Sequence, residues 1–262
     1  MNHPAYGEFR PVTPFASVLL ADNPGPMTLD GTNTWLVGTG ANRVVIDPGP
    51  ADAGHLRRVA EHAPVSLILL SHHHPDHTEG VAELAELTGA PVRALDPELC
   101  AGAEALTDGA VIEESGVRLE VLATPGHTKD SVCFAAEHAG ATAVFTGDTI
   151  LGRGTTVVAQ PDGHLGSYLE SLGKLARSPE GTPALPGHGP DLPDVAEAAR
   201  GYLAHRAQRL DQVRRVVDER GPRVTAREVV EVVYADVDPS VWPAAEWTVD
   251  AQLTYLSEQG ER

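Results

Sequence analysis

Along the first two thirds of the chain, apolar residues fall in short runs broken by glycine and proline. Runs at residues 15–20, 32–37, 43–46, 65–70, 117–122, 131–135 and 143–146 are rich in β-branched and aromatic side chains and read as strands. Helical periodicity appears between them at 53–62, 80–87 and 164–176. The last of these places Leu165, Leu169, Leu172, Leu175 and Ala176 on one face. Gly89 and Pro91 close the second. Interspersed strands and helices predict an α/β layered fold. The early strands follow one another through turns with few helices, which predicts a mixed sheet rather than a parallel one.

A proline- and glycine-rich stretch at 185–193 marks a boundary, and beyond it the pattern changes. Residues 194–219 form one long helical pattern with Asp194 as N-cap, stopped by Gly221-Pro222. Thr225 with Glu228 three residues later is a capping-box signature for a helix ending at Tyr234. Pro239-Ser240 introduces a last helix through Leu256. The organisation expected is a first domain over 1–190 and a small helical domain over 194–262.

Composition narrows the class. The 262 residues are 42% hydrophobic and 21% charged, values of a globular protein, not a disordered or fibrous one. No apolar run is long enough to span a bilayer, and residues 1–10 lack a basic region followed by an apolar stretch. Cys100 and Cys133 are the two cysteines, too few for a disulfide framework, so a reducing, cytoplasmic location is expected. With 19 basic residues against 37 acidic, the net charge is −18. That argues against charge-driven binding of nucleic acid, double-stranded DNA above all, while leaving room for a local basic groove.

The chemistry concentrates at Ser71-His72-His73-His74-Pro75-Asp76-His77, directly after the apolar run 65–70. Imidazole nitrogens and carboxylate oxygens are the ligands of zinc, and a strand end gives them a rigid rim. In an extended turn His72 and His74 point to one side, and Asp76 and His77 to a neighbouring position, so one motif can serve two metals. Three further ligand types lie in loops next to glycine: His127 in Pro125-Gly126-His127, Asp148 in Gly147-Asp148, and His188 in Gly187-His188-Gly189. Seven such residues suit a two-metal hydrolytic site. His73, between two ligand positions, is expected to point away.

The H-x-H-x-D-H motif followed by separate His, Asp and His residues resembles the metallo-β-lactamase superfamily of zinc hydrolases, over about residues 15–190. The resemblance implies a four-layer αβ/βα sandwich with the metals at one edge. It implies one zinc on His72, His74 and His127, a second on Asp76, His77 and His188, and Asp148 bridging both. A bridging aspartate is the pattern of glyoxalase II-like, ribonuclease-like and phosphodiesterase-like members, whereas class B β-lactamases usually carry cysteine there. Residues 23–38, 152–156 and the His205-Arg206-x-x-Arg209 stretch are similar to the β-lactamase-like protein 2 subfamily, whose C-terminal winged-helix-like domain corresponds to 194–262.

The function these likenesses imply is a binuclear zinc hydrolase, with manganese or iron as other ions the donors would take. A bridging hydroxide would be the nucleophile, and Asp76 the catalytic carboxylate that orients it or takes its proton. The substrate is expected to be either single-stranded RNA, as in animal members of the subfamily, or a small acyl thioester or ester, as in relatives from polyketide pathways. A non-antibiotic acyl hydrolase with no RNA role is the alternative. A non-catalytic metal-binding module is a third reading, drawing only on the helical C-terminal region.

The remaining expectations are structural. Asp47, in Ile46-Asp47-Pro48-Gly49, reads as a turn residue or a support for a ligand. Thr128 and Thr149 are candidates to hydrogen-bond ligands. His55, His62, His138, His164 and His205 read as surface residues. Arg206, Arg209, Arg214 and Arg215 read as a solvated helix face. Trp35, Trp242 and Trp247 read as packing anchors, and both cysteines as small core residues.

Overall fold

The computed structural model describes residues 6–236 and 238–262. The strands are β1 (Phe9–Thr13), β2 (Ala16–Leu20), β3 (Asn33–Val37), β4 (Arg43–Ile46), β5 (Val65–Leu69), β6 (Val92–Arg93), β7 (Val111–Glu114), β8 (Val117–Ala123), β9 (Val132–His138), β10 (Ala141–Gly147) and β11 (Ala184–Pro186). The α-helices are α1 (Ala53–His62), α2 (Pro75–Thr78), α3 (Val81–Thr88), α4 (Leu165–Leu175), α5 (Val195–Arg220), α6 (Ala226–Val233) and α7 (Trp242–Glu258). All seven strand runs and all six helical patterns expected from periodicity are present. Among the described residues no helix is long and apolar enough to cross a membrane.

Two sheets form, in the orders β1-β2-β3-β4-β5-β6 and β11-β10-β9-β8-β7. The first is mixed, as the short turns between its early strands require: β1 to β4 pair antiparallel, and β4, β5 and β6 pair parallel through helical crossovers. Each strand of the sandwich alternates its side chains between two cores. Trp35, Ile46, Leu69, Phe134 and Phe145 fill the space between the sheets. Leu36, Val45 and Ile68 face the other way, onto Leu56 and Val59 of α1 and Leu84 of α3. On the far side, Cys133 and Val144 face Leu165, Tyr168 and Leu172 of α4. The result is helices, sheet, sheet, helices: four layers.

The apolar cluster under α4 runs on without a break into the C-terminal helices, through Val195, Leu210 and Val213 to Val249 and Leu256. Asp194 caps α5 by accepting from the backbone of Glu197, and the Thr225–Glu228 capping box forms on α6. Among the described residues no strand follows Pro186, so the C-terminal region is helical, without a β-wing.

Three expectations about single residues are corrected. His55 is not on the surface: it is 4% exposed, with Nε2 2.9 Å from the hydroxyl of Thr34. It shares a helical face with Val59, four residues on, and that face packs on the sheet. Trp247 is no packing anchor, being 51% exposed. Arg206 does not belong to a solvated face: it is 2% exposed, donates to the carbonyl of Thr156, and lies over the ring of Tyr168 at 5.2 Å.

Burial pushes the pKa of His55 down from 6.5 to about 4. Between those values the unfolded chain takes up a proton that the folded chain refuses, so stability falls as pH falls. The expected loss at this site is about 2 kcal/mol between pH 7 and pH 5. Urea unfolding of the wild type and His55→Gln at both values checks this: the variant should lack that share of the pH slope, and equal slopes would refute the assignment.

Candidate metal centre

The seven candidate ligands lie at the carboxyl ends of strands from both sheets. His72 and His74 follow β5, and Asp76 and His77 lie on the short helix α2, opened by Pro75. His127 follows β8, Asp148 follows β10 and His188 follows β11. The strands β8, β10 and β11 run in the same direction, since β10 pairs parallel with β11 and β9 lies antiparallel to both β8 and β10. Their loops therefore open on one edge. The loop of His188 is tied across to the first sheet: Asn33 donates from its backbone to Gly187 and from its side chain to Pro186 and Gly189, and the Trp35 indole donates to Pro186.

Two triads result. In the first, Nδ1 of His74 is 3.0 Å from Nε2 of His72 and 3.0 Å from Nε2 of His127. In the second, Oδ2 of Asp76 is 3.3 Å from Nε2 of His77 and 3.1 Å from Nε2 of His188, and those two nitrogens are 3.2 Å apart. Asp148 lies between the triads. Its Oδ1 is 3.5 Å from Nε2 of His77, and its Oδ2 is 3.3 Å from Nε2 of His188 and 3.7 Å from Nε2 of His127.

This packing fits divalent ions. Tetrahedral zinc at its usual bond length separates its ligands by about 3.3 Å, close to the spacings within each triad. Three imidazole nitrogens converging on one point also make a poor hydrogen-bond set, since every pair needs one donor and one acceptor. Oδ1 of Asp148 is buried with no hydrogen-bond partner, although such oxygens are normally satisfied.

The outward nitrogens are held as well. Nδ1 of His127 meets the carbonyl of Val157 at 2.8 Å, Nδ1 of His188 that of Gly31 at 3.1 Å, and Nδ1 of His77 the Asp47 carboxylate at 2.9 Å. Nδ1 of His72 is 3.0 Å from the Ser71 hydroxyl. Holding Nδ1 outward turns Nε2 of His72, His77, His127 and His188 toward the centre, where a bound ion would take it in place of a proton. Asp47 also accepts from the backbone and hydroxyl of Ser71 and holds a left-handed φ of 55°, so it supports His77 and does not itself enter a triad.

Electrostatics divides the two triads. Burial pushes His72 well down and His74 down to about 4, with neighbouring imidazoles adding to the effect. Burial also opposes charge on His77 and His188, yet the carboxylates outweigh it. Asp148 and Asp47 raise His77 well above its usual value, and Asp148 and Asp76 raise His188 to about 9. Burial would push Asp76 and Asp148 up, but the imidazoles of His188 and His77 hold both well below the ordinary carboxylate range.

The other sequence candidates fall outside the cluster. His73 points away, as expected, with Nδ1 2.8 Å from Asp130 and Nε2 3.7 Å from Asp162. Thr128 pairs with Ser131, and Thr149 donates to Thr124; neither reaches a ligand side chain. Thr32, which sequence reasoning missed, does: its hydroxyl donates to Oδ2 of Asp76 at 3.2 Å. Arg153 pairs with Asp30.

Gly187 is required here by space. A Cβ on it would stand 2.5 Å from Oδ1 of Asp148 and 2.8 Å from Cε1 of His77. Gly187→Ala is expected to keep the fold while displacing Asp148, weakening metal binding by at least tenfold. Competition against a metal indicator dye measures this; unchanged affinity would show that the cradle tolerates the methyl group.

A family model described as the metallo-beta-lactamase superfamily matches residues 27–188, and one described as a beta-lactamase associated winged helix domain matches 225–261. The lactamase-like protein aptB of Emericella nidulans is 35% identical over 92% of this chain and 80% of its own length. A beta-lactamase-like protein 2 homolog of Caenorhabditis elegans is 33% identical over 92% and 84%. An atrochrysone carboxyl ACP thioesterase of Aspergillus fumigatus is 32% identical over 91% and 79%. Among solved structures, a beta-lactamase domain protein from Burkholderia ambifaria superposes with a TM-score of 0.84 at 22% identity, covering 99% of this chain and 90% of that one. A protein solved in a di-iron-bound form, TTHA1623, is 28% identical with a TM-score of 0.55, covering 67% of this chain and 94% of its own.

Proposed function

Because the chain belongs to the metallo-beta-lactamase superfamily of hydrolases, we propose that it is a binuclear zinc hydrolase of small acyl thioesters and related esters. The observation that carries the substrate class is the cavity beside His127 and Asp148. It holds about 240 Å³, and besides those two residues its lining is apolar at Pro26, Met27, Leu29, Leu151 and Val157 and polar at Arg153, Thr155 and Thr156. The five apolar residues give an acyl group a surface to bury against. An RNA substrate needs cations along its path. Of the three cations lining this cavity and the one beside it, Arg206 is buried on Thr156 and Tyr168 and Arg153 is paired with Asp30, which leaves Arg209 alone without a carboxylate partner among the described residues, one charge where a polynucleotide needs a row of them. The likeness to a thioesterase over nine tenths of the chain supports the same reading.

His72, His74 and His127 would hold one ion, Asp76, His77 and His188 the other, and Asp148 both. The triad of three imidazoles suits zinc, and the same donors accept iron or manganese. When bound, such ions polarise a carbonyl oxygen and bring the pKa of water towards ~7. Asp76 engages His77, His188 and Thr32 through Oδ2, while Oδ1 makes no hydrogen bond among the described residues. That free oxygen is placed to orient an attacking water and to take its proton. The Thr32 hydroxyl fixes the carboxylate plane, so the orientation is set before substrate arrives.

The test is a side-by-side assay of the holoenzyme on an N-acetylcysteamine thioester and on a single-stranded oligoribonucleotide. Thioester hydrolysis that stops on chelation, with the RNA left intact, is expected. RNA cleavage that weakens steeply with salt, without thioester hydrolysis, would overturn the acyl reading.

A further inference from the structure

A second cavity adjoins the one at the metal centre. It holds about 270 Å³ and shares Thr155, Thr156 and Val157 with the first as a common wall. Its other sides come from α5 and α7, with His205, Arg206 and Arg209 on one and Ala244, Ala245 and Thr248 on the other. The shared wall is fixed from both directions. Val157 accepts from His127, the Thr156 hydroxyl donates to the backbone carbonyl of Asp148, and the Thr156 carbonyl accepts from Arg206. One short segment therefore separates the reacting centre from a chamber beside α5.

The chamber is cationic in a chain of net charge −18. Among the described residues no acidic one lines it. Arg206 is spent on the fold, but Arg209, one turn further along α5, is half-buried at the cavity edge. Arg209 lies over the Tyr234 ring at 4.8 Å and donates from one guanidinium nitrogen to the side chain of Gln212 and to the carbonyl of Val233, and among the described residues it has no carboxylate partner. Stacking on the ring holds the guanidinium without neutralising it. Burial and the two guanidinium charges push His205 down, so a neutral imidazole faces the same space.

We propose that this chamber is the subsite for an anionic end of the substrate, with Arg209 forming the charge-assisted bond to a phosphate or carboxylate. The proposal rests on the acyl-ester reading. The scissile bond lies in the cavity beside His127 and Asp148, and the substrate passes over the 155–157 segment to place its acidic group against α5. The acid has two possible sources: the phosphate of a phosphopantetheine carrier on the thiol side, or a carboxylate at the far end of the acyl chain.

Three substrates separate these sources. They are butyryl-N-acetylcysteamine, which is neutral, butyryl-coenzyme A, which carries phosphate, and glutaryl-N-acetylcysteamine, which carries a carboxylate. One of the two anionic substrates should exceed the neutral one in kcat/KM. Arg209→Gln should lower that ratio by about 10–100-fold, mostly through KM. Arg209→Lys should restore part of it, as a charge-dependent role requires. Neither anion preferred by the wild type, or ratios unmoved by Arg209→Gln, would overturn the subsite while leaving thioester hydrolysis intact. Binding of coenzyme A and of free glutarate is measured in parallel, because neither has a bond to cleave. Binding of either that weakens in Arg209→Gln, without hydrolysis of any thioester, would support the subsite and refute the acyl reading.

Discussion

Replacing Asp148 by alanine will leave a folded protein that holds about one metal ion per chain and turns over at least ~10³-fold more slowly. Among the described residues Asp148 is the one carboxylate within 3.7 Å of nitrogens from both triads. Removing it leaves three imidazoles on one side, a sufficient set for one ion. On the other side Asp76, His77 and His188 lose a charged neighbour that raises both imidazoles. Asp148→Asn is the sharper variant, since it preserves shape and removes charge. Elemental analysis, far-UV circular dichroism and turnover on the same sample read the outcome. Two ions per chain and an unchanged rate would refute the bridging role.

Asp47→Ala will carry the second large effect, although Asp47 is no ligand. The carboxylate accepts from the backbone of Ser71 at 2.7 Å and from its hydroxyl at 2.6 Å, and holds Nδ1 of His77 at 2.9 Å. All of these groups are buried. Alanine leaves two or three donors without a partner, at a cost of about 2–4 kcal/mol. It also frees the His77 ring, for which a loss of about 10–100-fold in metal affinity is expected. Asp47→Asn keeps an acceptor for Ser71 and should recover much of the stability but not the affinity. Thermal unfolding of the chelated protein isolates the first effect, and titration with a zinc-buffered indicator the second. A variant matching the wild type in both would remove Asp47 from the site.

The motif-bearing part of the site was legible because its signal is local. A dense run of His and Asp after an apolar strand, and three Gly-flanked loops, put all seven candidates into one cluster. The supports were less legible, because they act across the fold. Thr32 reaches Asp76 over 44 positions, and Asp47 reaches His77 over 30. Asp47 could be suspected only from its place at a strand end.

The strands missed by periodicity are β1, β6, β7 and β11, the four edge strands of the two sheets. Two of them, Val92–Arg93 and Ala184–Pro186, are too short to show alternation. Their pairing is set by tertiary neighbours. Arg206 shows the converse, a signal present but outweighed by its charge. It falls in register with Tyr202, Leu210 and Val213 on the buried face of α5. Spacing placed it inside, and the Thr156 carbonyl and Tyr168 ring satisfy it there.

The most direct test of the account is elemental analysis of the purified wild-type chain, paired with thioester turnover before chelation, after it, and after zinc is restored. The account predicts close to two divalent ions per chain, zinc foremost, with turnover lost on chelation and recovered on reloading. A chain that carries no metal and keeps its full rate in the presence of a strong chelator would contradict it.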